Sequence, residues 1–175
     1  MAKSGKLELA IAQYDEAIKL DSTNALAYLS RGWAYNELGQ SQRAINDYTE
    51  AIKHEKKWNK RVKAFAALKF PKHVVYSHRG FAYEQQGETQ KAIEDYDRAI
   101  DLDSKDSGTY LIRGELLARE GQFLLAIEDF DKAIKLAPDY ALAYDNRGVL
   151  LEYSGQQQLA DKDFSKACEL DRSLC

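Results

Sequence analysis

One sequence motif occurs four times, with variations, in this chain. Its four copies read YLSRGWAYNELGQSQRAINDYTEAI, YSHRGFAYEQQGETQKAIEDYDRAI, YLIRGELLAREGQFLLAIEDFDKAI and YDNRGVLLEYSGQQQLADKDFSKAC. The Arg-Gly pairs begin at positions 31, 79, 113 and 147, so the period is 34 with one insertion of 14. A chain with a period in this range builds its fold by stacking copies of one supersecondary unit.

Each copy of the repeat contains two helical stripes separated by a glycine. Tyr28, Gly32 and Tyr35 lie at i, i+4 and i+7, which is the spacing of one helix face. Gly39 follows as a helix stop, and a second stripe begins at Ala44. The chain has only 2 prolines, and no segment alternates apolar and polar residues as a strand does. The pattern therefore predicts an all-α chain of antiparallel helix pairs.

An arginine at position i inside each first helix is matched by an aspartate at i+16. The pairs are Arg31 with Asp47, Arg79 with Asp95, Arg113 with Asp129, and Arg147 with Asp163. A charge inside a packed helix pair needs a partner, because burying it alone is costly. We predict an ion pair that braces the two helices of each unit and that is structural rather than catalytic.

These units resemble the tetratricopeptide repeat family. That family's pattern has an aromatic residue, Leu-Gly, a second aromatic residue and Ala-x-x-x-Phe before a terminal Pro, with the same period. This chain has Arg in place of the Leu, and the terminal Pro occurs only as Pro138. The resemblance implies a right-handed superhelical α-solenoid, in which the first helices line a concave groove that receives peptides or partner helices.

The resemblance covers nearly the whole chain and implies a single array over residues 1–175. The predicted parts are a half repeat at 5–24, full repeats at 25–55, 73–106, 107–140 and 141–174, and a basic insertion at 56–72. The half repeat matches a second helix alone, and no polar capping helix follows the last repeat. Both ends thus suggest either a fragment or a chain that covers its ends by forming a homo-oligomer.

On each first helix, the stripe of residues that is not needed for packing between helices is the candidate binding face. The selected residues are Leu26, Leu29, Trp33, Asn36 and Glu37 in the first unit, Val74, Ser77, Phe81, Glu84 and Gln85 in the second, and Glu115 and Arg119 in the third. Trp33 and Phe81 occupy equivalent places, and an exposed aromatic pair marks an interface. The alternative is that the core between repeats buries both rings.

The charges on this face indicate what kind of partner fits it. Acidic residues outnumber the lone Arg119, so we expect a protein or peptide that is apolar and carries Lys or Arg. Some members of the family hold the C-terminal tail of a chaperone with a cationic set of side chains. That set is missing here, so binding of such a tail is not expected.

The insertion supports two alternative functions. Residues 53–72 carry eight Lys or Arg against one Glu, in a chain whose net charge is −3. The alternative basic site consists of Lys56, Lys57, Lys60, Arg61 and Lys63. Basic residues interleaved with aromatic ones bind RNA or anionic lipid headgroups. The insertion of one copy could instead meet the acidic face of another, whereas DNA is not an expected partner.

The insertion is also expected to interrupt the second helix of its unit. A straight continuation through the whole insertion would project about 21 Å past the array, since a helix rises about 1.5 Å per residue. We therefore predict a bend near Trp58-Asn59. A short separate helix should follow from about Asn59 to Lys69, and Pro71 should prevent it from continuing.

The sequence gives no sign of catalysis or of a cofactor. His73 and His78 point to different helix faces and no cysteine joins them, so no metal site is predicted. The stretch DLDSKDSGTY lacks the closing Glu of a calcium loop and is interpreted as a turn between repeats. Phosphate-binding glycine loops and nucleophile motifs are absent, so the chain is not expected to be an enzyme.

Two remaining expectations concern the cysteines and the location of the chain. Cys168 falls where the other repeats have Ile, so it is interpreted as a small core residue, and Cys175 is not expected to form a disulfide framework with it. The sequence has no apolar run long enough for a membrane helix and no secretory signal, which makes a cytoplasmic location the default.

Overall fold

A computed structural model describes residues 2–61 and 71–175 of the chain. Within these ranges the structure contains nine α-helices, one short 3₁₀ turn and no strand, which confirms the predicted all-α class. The chain divides into two compact units, unit 1 at Met1–Leu102 and unit 2 at Asp103–Cys175. None of the described helices has both the length and the apolar character needed to cross a membrane.

Unit 1 contains five helices. They are α1 (Ala2–Leu20), α2 (Ala25–Glu37), α3 (Ser41–Arg61), α4 (Lys72–Gln85) and α5 (Thr89–Leu102). Helix α2 packs against α3, and α4 packs against α5, as the two antiparallel pairs that the repeat predicts. Helix α1 corresponds to the predicted half repeat and packs against α2.

Unit 2 contains four helices and the 3₁₀ turn. The helices are α6 (Ser107–Arg119), α7 (Phe123–Leu136), α8 (Ala141–Tyr153) and α9 (Gln157–Leu170), and the turn covers Arg172–Leu174. Helix α6 pairs with α7 and α8 pairs with α9, and α7 also packs against α8. Asp106 begins α6 by accepting hydrogen bonds from the backbone N–H groups of Gly108 and Thr109.

A glycine with positive φ ends every first helix of the four full repeats. These glycines are Gly39, Gly87, Gly121 and Gly155, with φ between 71° and 77°. In the first repeat, the N–H of Gly39 donates to the carbonyl of Asn36, and the N–H of Gln40 donates to that of Tyr35. L-residues with a side chain seldom adopt a positive φ, whereas glycine adopts it readily. The predicted helix stops at these glycines are therefore confirmed.

The glycine of each Arg-Gly pair lies inside a first helix, beneath an aromatic ring of the second helix. A Cβ placed on Gly32 would lie 2.8 Å from Cε1 of Tyr48, and one on Gly114 would lie 2.7 Å from Cε1 of Phe130. Both distances are shorter than a normal contact, so a side chain at these positions would push the ring away. Glycine therefore lets the two helices approach closely, which offsets its poor helix propensity.

The predicted arginine–aspartate pairs form in all four repeats. In each, the arginine Nε and Nη2 donate to the two carboxylate oxygens of the aspartate, at 2.6–2.9 Å. The guanidinium of Arg31 also lies 5.6 Å from the ring of Tyr28 and 5.8 Å from that of Tyr35. Its hydrogen bonds with the carboxylate of Asp47 raise the pKa of Arg31.

Arg31, Arg79 and Arg147 also contact the preceding second helix. Nη1 of Arg31 lies 2.6 Å from Asp15, and Nη1 of Arg147 lies 2.5 Å from Asp131. In the repeat that precedes Arg79, Thr49 occupies the position equivalent to Asp15 and Asp131. Its hydroxyl oxygen accepts a hydrogen bond from Nη1 of Arg79 at 3.0 Å. Each of these arginines thus links two second helices.

The predicted bend at Trp58-Asn59 is wrong, because α3 continues without interruption to Arg61. The amide of Asn59 donates to Glu55 one turn earlier at 2.8 Å, and Trp58 packs against the buried core of unit 1. These contacts favour helix through the point where a break was expected. Most of the predicted separate helix, from Asn59 to Lys69, lies outside the described residues.

The interpretation of Cys168 as a core residue is also wrong. Cys168 forms a disulfide with Cys175, and the two Cα atoms are 4.8 Å apart. After α9 ends, the 3₁₀ turn brings the chain back over the helix, and the side chain of Asp171 accepts a hydrogen bond from the N–H of Ser173 at 2.9 Å. The spacing of the two cysteines alone gave no indication of this turn.

Candidate functional site

The candidate face of unit 1 consists of the predicted stripe residues on α2 and α4. Trp33 and Phe81 occupy equivalent places on the two helices and remain 46% and 40% exposed, respectively. The alternative in which the core buries both rings is therefore wrong. Two large aromatic side chains that stay accessible on neighbouring helices form a surface that can bind apolar groups.

Apolar side chains form the base of this face. Leu26 and Leu29 are half-buried and pack against a core cluster that includes the fully buried residues Ala25 and Val75. Val74 is half-buried and immediately precedes Val75 on α4. A partner side chain that contacts the base would thus meet a surface that is already held in place by packing.

Carboxylates and amides surround the apolar base. Glu37 and Gln85 are exposed, and Ser77 is half-buried. The half-buried Glu84 accepts a hydrogen bond from the hydroxyl of Tyr96 at 3.2 Å. The described stripe residues of α2 and α4 thus include two carboxylates and neither Lys nor Arg.

Three buried polar atoms near this face have no hydrogen-bond partner among the described residues. They are Oδ1 of Asn36, the hydroxyl oxygen of Tyr48 and Nδ1 of His78. In the next repeat the equivalent phenol, Tyr96, does have a partner in Glu84. Sequence reasoning missed these three atoms, although one signal was present for the phenol: Phe130 and Phe164 take the place of the two tyrosines in the later repeats.

Burial and charge keep the side chains of Tyr48 and His78 neutral. Burial, together with the nearby Asp47 and Glu37 carboxylates, raises the pKa of the Tyr48 phenol. Burial lowers the pKa of His78. The phenol therefore keeps its proton, and the imidazole is neutral at neutral pH.

The predicted site residues of unit 2 belong to a separate compact unit and are described by themselves. Glu115 is half-buried and accepts a hydrogen bond from Nδ2 of Asn146 at 2.8 Å, while Arg119 is exposed. On α8, Val149 and Tyr153 are exposed. Glu115 is thus tied to the next first helix.

The alternative basic site is only partly described. Lys56, Lys57 and Lys60 are exposed on α3. Arg61 is the last residue of that helix, and Lys63 lies outside the described residues. In the ranges 2–61 and 71–175, no group of His, Cys, Asp and Glu side chains is arranged to hold a metal ion.

Models of repeat families match almost the entire chain. A model described as tetratricopeptide repeat matches residues 25–56, 107–140 and 141–174, and a second model with the same description matches 73–106. A third, described as TPR repeat, matches residues 2–39. No curated protein sequence matches the chain significantly.

Solved structures share the fold over nearly the full length. The crystal structure of MamA has 26% identity and a TM-score of 0.82, covering 98% of this chain and 92% of that one. YrrB, described as a TPR protein with an unusual peptide-binding site, has 24% identity and a TM-score of 0.75, covering 99% and 83%. The first TPR of Spaghetti, bound to the HSP90 peptide SRMEEVD, has 27% identity and a TM-score of 0.55, covering 57% and 79%.

Proposed function

Because this chain belongs to the tetratricopeptide repeat family, we propose that it is a protein-interaction scaffold that binds a peptide segment or helix of a partner. The observation that carries the proposal is the exposure of Trp33 and Phe81 at equivalent places on α2 and α4. Large aromatic side chains contribute most to the energy of an interface when a partner buries them. The proposed role is binding without catalysis.

The charges on the candidate face support a partner that combines apolar anchors with Lys or Arg. Glu37 and Glu84 lie on the same stripe as the aromatic side chains, and none of the described stripe residues of α2 and α4 is Lys or Arg. Complementary charge increases the association rate and orients the partner, whereas the apolar contacts provide most of the affinity. Affinity should therefore decrease moderately with salt but should not vanish.

Peptide binding by similar proteins supports the same class of function. YrrB has a peptide-binding site, and the first TPR of Spaghetti binds an HSP90 peptide. That peptide, SRMEEVD, is rich in carboxylates. The carboxylates of the candidate face would repel such a sequence, so we propose a partner of the opposite charge.

Alanine variants of the two aromatic residues test the proposal. Peptides are first selected on the intact chain from a random library, and their dissociation constants are measured by calorimetry. Trp33→Ala and Phe81→Ala should each weaken binding about 30-fold, which corresponds to about 2 kcal/mol. The control is Leu124→Ala, which changes an 80% exposed leucine on α7 and should leave binding unchanged.

A second set of variants tests the alternative basic site. Lys56, Lys57 and Lys60 are exposed, so replacing all three with Gln removes charge without disturbing the core. Binding of the selected peptides should be unaffected by this triple change. The proposal is wrong if the aromatic variants bind like the parent while the triple variant loses binding to RNA, to anionic vesicles or to a second copy of the chain.

A further inference from the structure

We propose that the disulfide between Cys168 and Cys175 is a redox-sensitive clamp, which holds the turn after α9 in a fixed conformation and which a dithiol reductant opens. The inference goes beyond the proposed function, because the clamp lies in unit 2 whereas the candidate face lies on α2 and α4 of unit 1. Opening the clamp changes the order of residues 171–175 and leaves the helix pairs intact.

The turn after α9 has the backbone hydrogen bonds of a turn between repeats. The N–H of Asp171 donates to the carbonyl of Ala167 at 2.8 Å, and the N–H of Leu174 donates to that of Asp171 at 3.0 Å. The two equivalent bonds in the turn between α7 and α8 measure 2.8 and 3.0 Å. The backbone therefore turns after α9 as it does where a first helix follows.

The two cysteines replace an apolar pair with the same spacing. Ile134 and Ala141 occupy their places one period earlier. Ile52, at the place of Cys168, packs against the core cluster that includes Val75 of the following first helix. At that junction, side-chain packing against a first helix holds the chain in position. After α9, a covalent bond joins the same two places.

The hydrogen bonds of this turn join residues that are close in sequence. The carboxylate of Asp171 accepts from the N–H of Ser173 at 2.9 Å, and the N–H of Cys175 donates to the carbonyl of Arg172 at 3.4 Å. Within residues 171–175, Leu174 is half-buried and the other four are exposed. A segment with so little burial opens readily unless a cross-link restricts its chain entropy.

The disulfide is accessible to a reductant, because Cys175 is exposed and Cys168 is half-buried. A thiolate of the dithiol attacks the sulfur of Cys175, and Cys168 leaves as a thiolate that takes up a proton. The second thiolate of the reductant attacks its own sulfur in the mixed disulfide and releases Cys175. The reductant becomes a cyclic disulfide, and its two electrons leave two thiols on the chain.

The surroundings therefore determine the state of the clamp. A disulfide persists in an oxidising compartment, whereas a compartment rich in thiols reduces an accessible one. In the reduced chain, residues 171–175 lose their fixed conformation. The redox state is thus converted into the order of a turn at the place where other repeats begin a first helix.

Hydrogen exchange of the intact chain, followed by NMR, tests the clamp. The amide of Leu174 should exchange at least about tenfold faster after reduction with excess dithiothreitol. The amide of Tyr140 occupies the equivalent place in the turn between α7 and α8 and should not change. The proposal is overturned if Leu174 exchanges equally in both forms, or if the disulfide can be reduced only in denaturant.

Two variants separate the covalent bond from the side chains that carry it. Cys175→Ser should exchange at Leu174 like the reduced parent and should not respond to dithiothreitol. The double variant Cys168→Ile with Cys175→Ala restores the pair found at Ile134 and Ala141, so it is expected to fold. It should show the same fast exchange. Slow exchange in either variant would show that packing alone orders the turn, and the proposal would be wrong.

Reversibility distinguishes a clamp from damage caused by the reductant. Alkylation followed by mass spectrometry should find no free thiol in the parent before reduction and both cysteines labelled after it. Reoxidation with oxidised glutathione, without alkylation, should restore slow exchange at Leu174. If the disulfide re-forms while exchange stays fast, the disulfide does not order the turn and the proposal fails.

Discussion

Replacing Asp95 with alanine is expected to lower the free energy of unfolding by about 3–5 kcal/mol. The side chains of Arg79 and Asp95 are 11% and 3% exposed, and Nε of the arginine lies 2.6 Å from the carboxylate. Removing the aspartate leaves a guanidinium buried without its charged partner, and this desolvated charge is the main cost. Urea titration followed by circular dichroism in the far ultraviolet measures the loss.

Two controls show whether the cost comes from the unpaired charge. Asp131→Ala removes a carboxylate that is 55% exposed and leaves Arg147 bound to Asp163, so it should cost about 1 kcal/mol or less. The double variant Arg79→Met with Asp95→Leu should recover most of the stability, because apolar side chains of similar volume replace the pair. An Asp95→Ala cost no larger than that of Asp131→Ala would contradict the argument.

Phe130→Ala should lower the free energy of unfolding by a similar amount, about 3–5 kcal/mol. The side chain is 1% exposed and its ring covers the backbone of Gly114, so the change leaves a cavity between α6 and α7. Glycine has no side chain that could move into this space. Denaturant titration of the variant and the parent measures the difference.

Two further substitutions serve as controls for Phe130→Ala, one on the same helix and one at the glycine beneath the ring. Leu124→Ala on the same helix changes an 80% exposed side chain and should alter stability by about 0.5 kcal/mol or less. Adding Gly114→Ala to Phe130→Ala should restore part of the loss, because the new methyl group enters the cavity that the ring has left. If the second change lowers stability further, the cavity has already collapsed and the packing argument fails.

The features that could be predicted from the sequence are those that occur in every repeat. The Arg-Gly pair, the turn glycine and the aspartate that pairs with the arginine each appear four times. Each copy is a separate observation of the same packing requirement, so an accidental pattern can be distinguished from a structural one. The helix pairs, the turns at positive φ and the arginine–aspartate pairs were therefore predicted correctly.

Features that occur once gave no such signal. The continuation of α3 through Trp58-Asn59 depends on local contacts of Asn59 and on packing of Trp58, and neither recurs. The disulfide between Cys168 and Cys175 depends on a turn that follows only the last helix. In both cases a single stretch of sequence was compatible with more than one conformation, and tertiary contacts decided between them.

The candidate face was predictable as a stripe, but the unpartnered polar atoms of Asn36, Tyr48 and His78 were not. Trp33 and Phe81 could be selected because equivalent positions share a helix face. Asn36, Tyr48 and His78 come from three helices, and each is an ordinary substitution at its own place in the repeat. Whether their polar atoms are buried without a hydrogen-bond partner depends on how α2, α3 and α4 pack, which no single repeat reveals.

The arginines that bind two second helices have a consequence for how such a chain can lengthen. Arg31 meets an aspartate at i−16 and another at i+16, and Arg147 does the same. The repeat at 107–140 therefore carries both halves of the junction, because it contains Arg113 and also Asp131, which meets the arginine of the next repeat. A gene duplication that adds one whole period supplies its own docking contacts, so the array can grow by one repeat without the evolution of a new interface.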